Sequence, residues 1–165
     1  MAETERGRIE AIHVAAAAGQ PLHAVEAVGV TAHVGLAGDR YGELATGRYS
    51  NHASGKPRGI TLIEGEELDR LADSTGIRLD PGQSRRNLTT RGIRLNELVG
   101  RTFKVGSIRV RGLELCEPCE YLQGHVGQPI LAPLVHRAGL RGDPLDDGEI
   151  RVGDAIEIAI ESASA

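Results

Sequence analysis

The sequence predicts a mainly β protein whose strands close, fully or in part, into a barrel with two or three short helices. Three observations favour this fold class: seven or more short segments have strand-like patterns, few segments show helical periodicity, and no repeat or low-complexity linker divides the chain. Closing a sheet on itself removes the exposed strand edges that such a chain would otherwise leave. With 165 residues the chain has the length of one domain, so we expect residues 1–165 to form a single domain.

The first part of the chain predicts a hairpin followed by a long loop. Residues 8–15 and 21–30 are rich in Val, Ile and Ala, and the turn sequence Gly19-Gln20-Pro21 separates them. Residues 35–57 contain many Gly, Ser, Asn and Arg residues and show no sustained periodicity. We expect a long loop there, and ordered loops of this length tend to be lids or binding loops.

The rest of the chain predicts short strands with a few helices between them. Apolar spacing indicates an amphipathic helix over residues 64–75, a helical turn over 96–99 and a short helix over 129–137. Strands are predicted at 59–63, 85–90, 102–105, 107–115, 149–152 and 155–160. The alternation of apolar residues slips by one position at Arg111-Gly112, which predicts a β-bulge.

Composition excludes several classes of function. A net charge of -4 and an aromatic content of 2% argue against nucleic acid as a partner, because a phosphate binder needs excess cations and a base-stacking surface needs rings. No apolar stretch approaches the roughly 20 residues of a membrane span, so no membrane partner is expected. The two cysteines form no disulfide framework, which favours a reducing, cytoplasmic location.

Arginine strongly outnumbers lysine. The only lysines are Lys56 and Lys104, and the remaining 17 of the 19 basic residues are arginines. Genomic composition bias is one explanation. The other is that guanidinium groups hold a planar or phosphorylated anion at two points, which ammonium groups do poorly.

The most informative motif is Cys116-Glu117-Pro118-Cys119, at the end of a predicted strand. A thioredoxin-like dithiol would require an early strand followed by a long helix in an α/β sheet. A structural zinc site would need His125 and His136 to complete the ligand set, at an unusual spacing. Buried, chemically inert cysteines are a third explanation, because free cysteine is among the most buried residue types.

Acidic neighbours add a fourth explanation, a metal-bound thiolate. Glu114, Glu117 and Glu120 place negative charge near the sulfur atoms and should disfavour a free nucleophilic thiolate. A soft metal ion reverses this argument, because a cation bound to sulfur favours its deprotonated form.

Several segments in this order resemble the MOSC domain family, named from the C-terminal part of molybdenum-cofactor sulfurases. Gly38-Asp39-Arg40 is similar to an early element of that family, and 59–64 to its central strand leading to a helix. Residues 85–93 are similar to its Arg-x-Asn element with a following Gly-Ile. Cys119 lies where the family has its characteristic cysteine, and 148–154 resembles the closing segment.

The resemblance implies a strongly bent β-barrel with a pocket for the molybdenum cofactor. Cys119 would be the catalytic residue and metal ligand, or would carry a sulfur atom. Relatives such as the mitochondrial amidoxime-reducing component and bacterial hydroxylaminopurine-detoxifying proteins reduce N-hydroxylated compounds, so we expect a small N-hydroxylated substrate and an external electron-donor reductase. No pyridoxal phosphate site is expected, since neither lysine lies in a Schiff-base motif.

Further candidate site residues follow from the matching segments. Arg85 and Asn87, two apart on a predicted strand, would face one side and present a guanidinium and an amide to a pterin or phosphate, or else be a surface arginine and a capping amide. The loop residues Tyr49, Ser50 and His52 are candidates for covering the pocket or contacting substrate. The full set of candidate cofactor contacts is Asp39, Arg40, Arg85, Asn87, Thr89, Thr90 and Arg137.

Three functional hypotheses result from these observations. The first is a molybdenum-dependent oxidoreductase that reduces N-hydroxylated bases or related compounds. The second is a non-catalytic carrier of the cofactor, or of sulfur as a Cys119 persulfide. The third is a small barrel that binds no cofactor.

Overall fold

A closed ring of strands organises the fold in the computed structural model, which describes residues 3–17, 19–40, 59–80 and 82–160. Within these ranges the strands are β1 Glu3–Val14, β2 His23–Val25, β3 Ala27–Thr31, β4 Gly35–Leu36, β5 Ile60–Glu64, β6 Leu88–Arg91, β7 Thr102–Val105, β8 Ile108–Leu115, β9 Leu140–Pro144, β10 Gly148–Arg151 and β11 Ala155–Ile160. The helices are α1 Gly65–Thr75, a 3-10 helix at Leu95–Leu98, and α2 Glu120–Val126.

Seven strands form the barrel, in the order β11-β7-β8-β9-β5-β6-β1, and β1 pairs back with β11 to close the ring. β5 and β6 are parallel, whereas the other neighbours in the ring pair antiparallel. β2 pairs with β1 outside the ring, and β10, β3 and β4 form a separate small sheet. The predicted mainly β barrel is therefore confirmed.

Two hydrophobic clusters stabilise this arrangement. The first fills the barrel with side chains such as Ile12, Leu62 and Val110, all fully buried. The second lies between the helices and the late turns and consists of Leu71, Leu122, Ile130, Leu134 and Ala138. Leu71 on the apolar face of helix α1 therefore packs against α2 and the late turns, in agreement with the amphipathic spacing of the helix.

Helix α1 ends where the sequence predicts, because Gly76 takes the left-handed conformation with φ 78°. The predicted bulge is also present, since the pairing of β8 with β9 shifts register between Gly112 and Glu114. A side chain at Gly112 would collide with the Leu98 carbonyl oxygen, so glycine is needed at this close approach.

Two expectations from the sequence are wrong, and two elements of the fold were not anticipated. The strand predicted at 85–90 begins only at Leu88, because Arg85 has φ 60° and interrupts extended backbone. The helix predicted at 129–137 is a series of turns, consistent with Pro133 removing a backbone donor. Strand β9 and helix α2 were not anticipated, and most of the predicted 35–57 loop lies outside the described residues.

None of the helices in the described ranges has both the length and the apolar character that crossing a membrane requires.

Candidate functional site

A buried ionic network joins the end of β1 to the segment before β6. Asp39 is fully buried, and its Oδ1 accepts a hydrogen bond from the Ala15 N–H at 3.0 Å and contacts Arg40 Nη1 at 3.1 Å. Arg40, 2% exposed, donates from Nη2 to the Arg85 carbonyl at 2.8 Å. The Gly-Asp-Arg element therefore fixes the backbone of Arg85, and its two charged side chains neutralise each other away from water.

Arg85 lies at the edge of a cavity of about 310 Å³, which we call the Arg85 cavity. Its guanidinium donates from Nη1 to the Gln20 carbonyl at 2.8 Å, so the side chain is fixed in position. The described lining residues include no carboxylate and are Gly19, Pro21, Leu22, Gly82, Gln83, Arg85 and His125. A cavity with a fixed guanidinium and no acidic group favours an anionic ligand.

His125 brings helix α2 to this cavity. Partial removal from water lowers the pKa of His125, and the positive charges of Arg85 and Arg40 lower it further. Its ring packs edge-on against Tyr121, one helical turn earlier, with centroids 4.7 Å apart. The sequence suggested His125 only as a zinc ligand; the four-residue spacing from Tyr121 could have indicated a shared helix face.

Cys119 directly precedes α2 and has extended backbone, with φ -140° and ψ 169°. Its side chain is half-buried and packs against the second hydrophobic cluster, whereas Cys116 is 1% exposed. Cys119 is not among the described residues that line the Arg85 cavity. The structure thus leaves Cys119 partly accessible and Cys116 inside.

Arg86, which the sequence did not single out, anchors the Cys-x-x-Cys segment. Its guanidinium is buried and donates from Nε to the Ala138 carbonyl at 2.8 Å and from Nη2 to the Cys116 carbonyl at 3.0 Å. The neighbouring Arg85 points to the cavity instead. The two adjacent arginine side chains therefore point to different places, and the left-handed backbone of Arg85 separates their directions.

Asn87 is fully buried and its side chain connects three strand segments. Its Oδ1 accepts hydrogen bonds from the Thr61 N–H at 3.0 Å and the Thr61 hydroxyl at 3.2 Å. Its Nδ2 donates to the His13 carbonyl at 3.1 Å. These contacts hold the strand ends on which Arg85 and Arg86 depend, and a direct cofactor contact by Asn87 stays a prediction.

The remaining candidates lie apart from the Arg85 cavity. Thr90 is fully buried and donates to the Ile63 carbonyl at 3.4 Å, and Thr89 lines a separate cavity beneath α1. Arg137 donates to both carboxylate oxygens of Glu67 at 3.3 Å. The structure thus groups Asp39, Arg40 and Arg85 and separates Arg137 and the threonines from them. The lid candidates Tyr49, Ser50 and His52 lie outside the described residues.

No group of three or more His, Cys, Asp or Glu side chains in the described part of the chain is arranged to hold a metal ion.

Comparison with known proteins agrees with the architecture. The family described as "MOSC domain" matches residues 49–157. The structure is similar to YuaD from Bacillus subtilis, with a TM-score of 0.77 and 18% identity, covering 98% of this chain and 100% of that one. It is also similar to YiiM from Geobacillus stearothermophilus, with a TM-score of 0.67 and 17% identity over 96% of this chain and 77% of that one. YiiM from Escherichia coli is similar with a TM-score of 0.64 and 17% identity, covering 96% of this chain and 72% of that one. No curated protein sequence matches the chain.

Proposed function

The chain belongs to the MOSC domain family, and on that premise we propose that it binds the molybdenum cofactor and reduces N-hydroxylated bases or related compounds. The family is associated with this cofactor. The observation that supports the proposal most directly is the Arg85 cavity, which is cationic and has no carboxylate among its described lining residues.

The residues present fit the anionic part of such a cofactor. Small-molecule pockets usually measure about 300–1,000 Å³, so a cavity of about 310 Å³ accommodates part of a large cofactor. Arg85 would hold the anionic group, because the hydrogen bond to the Gln20 carbonyl already fixes its guanidinium at the cavity. Gly82, with φ 85°, lines the same cavity in a left-handed backbone conformation that favours glycine.

Cys119 is the sulfur ligand in this proposal. It is the accessible member of the pair, and Arg86 fixes the carbonyl of Cys116 three residues before it. The bound cofactor would supply two-electron redox chemistry. The chain's own residues then act by binding and orientation: His125, with its lowered pKa, offers a neutral imidazole to a substrate oxygen or nitrogen at the cavity.

The proposal includes an external reductase that would return electrons to the cofactor. It also includes a cytoplasmic location, because free cysteines suit a reducing compartment.

The first experiment measures molybdenum and pterin in protein produced in a cofactor-competent host. Wild type should contain both, Arg85→Ala should lose both, and Cys119→Ala should lose molybdenum or its thiolate spectroscopic signature. Cys116→Ser is the matched control, because the same motif is altered without removing the proposed ligand. Negligible molybdenum and pterin in wild type would contradict the proposal.

The second experiment separates an enzyme from a carrier. Loaded protein should reduce a hydroxylaminopurine when an artificial electron donor is supplied, and Cys119→Ala should not. Loaded wild-type protein that never turns over would instead support a cofactor carrier. An additional sulfur atom on Cys119 in intact-mass spectra would support a persulfide carrier.

A further inference from the structure

A second cavity, which we call the α1 cavity, lies between helix α1 and the outer face of β1 and β6. Its volume is about 320 Å³, in the range of small-molecule pockets, which is about 300–1,000 Å³. Its described lining includes Glu10, His13, Leu68, Asp69, Leu79 and Asp80. It is separate from the Arg85 cavity except at Gly82, which lines both.

His13 is one of the lining residues and carries an unpaired polar atom. The residue is only 3% exposed, and its Nδ1 is buried without a hydrogen-bond partner among the described residues. Burial lowers the pKa of His13, and His23 lowers it further, so the ring is neutral at neutral pH. A neutral imidazole needs a donor for one of its nitrogens, and leaving a buried polar group unpaired costs about 1–3 kcal/mol.

The charges around the cavity are mostly negative. Glu10, Asp69 and Asp80 contribute carboxylates, whereas Arg91 contributes the single guanidinium of the described lining. Arg91 is already engaged, since Nε contacts both oxygens of Glu10 at 3.1 Å and Nη1 contacts Asp69 at 2.5 Å. Asp80 has no ion pair or side-chain hydrogen bond with any other described residue.

Gly65 allows the charged end of the cavity to form. A Cβ atom at this position would lie 2.6 Å from Arg91 Nε and 2.9 Å from Glu10 Oε2. The guanidinium therefore lies directly against the first residue of α1. Leu68 and Leu79 contribute apolar surface, and Thr89 contributes a hydroxyl from β6.

We propose that the α1 cavity binds a small organic cation with ammonium or amidinium N–H donors and a hydrocarbon body. Asp80 supplies the counter-charge, the neutral imidazole of His13 accepts a hydrogen bond, and Leu68 and Leu79 contact the hydrocarbon. An anion is disfavoured because Arg91 already has two carboxylate partners. A bare metal ion is disfavoured because the described side chains form no metal-ligand group.

The test is a titration of the full chain with benzamidine, followed by two-dimensional NMR. Benzoate, which has nearly the same shape and the opposite charge, is the control ligand. Benzamidine should give saturable shifts at His13, Thr89 and Leu68, whereas benzoate should leave these signals unchanged.

Matched aspartate variants test the role of Asp80. Asp80→Asn should weaken benzamidine binding by about two- to fivefold, the range for an exposed charge pair. Asp73→Asn, an exposed change on α1 outside the cavity lining, should leave binding unchanged. The absence of saturable shifts at His13, equal binding of benzoate there, or equal affinities of the two variants would overturn the proposal.

Discussion

Replacing Asn87 with alanine should destabilise the protein strongly, because the Asn87 side chain is fully buried and hydrogen-bonded. The change leaves the buried Thr61 N–H and His13 carbonyl without their partners. Each orphaned buried group costs about 1–3 kcal/mol. The expected loss is therefore about 2–6 kcal/mol, a large share of the about 5–15 kcal/mol by which domains are stable.

Urea unfolding monitored by far-UV circular dichroism measures this loss. Asn96→Ala is the matched control, because Asn96 also donates to a backbone carbonyl, that of His136, but in an exposed position. Water replaces that bond, so the control should change stability by about 0.5 kcal/mol or less. Asn87→Asp should also destabilise, because a carboxylate cannot donate to His13. A loss below about 1 kcal/mol for Asn87→Ala would refute the reasoning.

Four further predictions concern glycines and titratable groups. Gly124→Ala should stabilise the protein by about 0.5–1 kcal/mol in urea unfolding, because the position is helical and open. Gly139→Ala should destabilise it by about 2 kcal/mol or more, since φ is 111° and a Cβ would collide with a β5 carbonyl. The Arg109 guanidinium lowers the pKa of Asp146 to about 2, so carbon-13 NMR should show the Asp146 carboxyl titrating near that pH. Arg109→Gln should return the pKa of Asp146 toward 3.8. The stability that this ion pair contributes is present above pH 3.8 and lost as the pH falls through about 2. The lowered pKa of His13 means that unfolded chains bind its proton more readily, so stability should decline as pH falls below 6.5, and His13→Gln should flatten that decline.

Local patterns predicted most of the barrel. The strands at 102–105 and 108–115, helix α1 and the bulge near Gly112 all follow from alternation, amphipathic spacing and glycine placement. Strand β9 was missed because Leu140–Pro144 contains glycine and proline, and it is extended only through its partners β5 and β8. Tertiary pairing overrides weak local preference there.

The site was harder to predict, because the directions of its side chains depend on one backbone reversal. Arg85 and Asn87 would share a face on a regular strand, but the left-handed Arg85 ends that alternation. Arg85 then lies at a cavity, Arg86 reaches the Cys116 carbonyl, and Asn87 turns inward to Thr61. His125 was missed as a cavity residue because helix α2, which carries it, follows a Cys-Glu-Pro-Cys segment without a strong N-terminal signal.

Closure of the ring has a consequence for how the polypeptide reaches its native state. The pairing of β1 with β11 closes the ring and places Glu3 opposite Ile160, the two ends of the described sequence. The hydrogen bonds of this pair can form only after β11 has reached β1. Until β11 arrives, one side of β7 and part of β1 offer unpaired backbone groups to other chains. Nascent molecules should therefore pass through a slow, self-associating stage whose duration depends on this last zippering step.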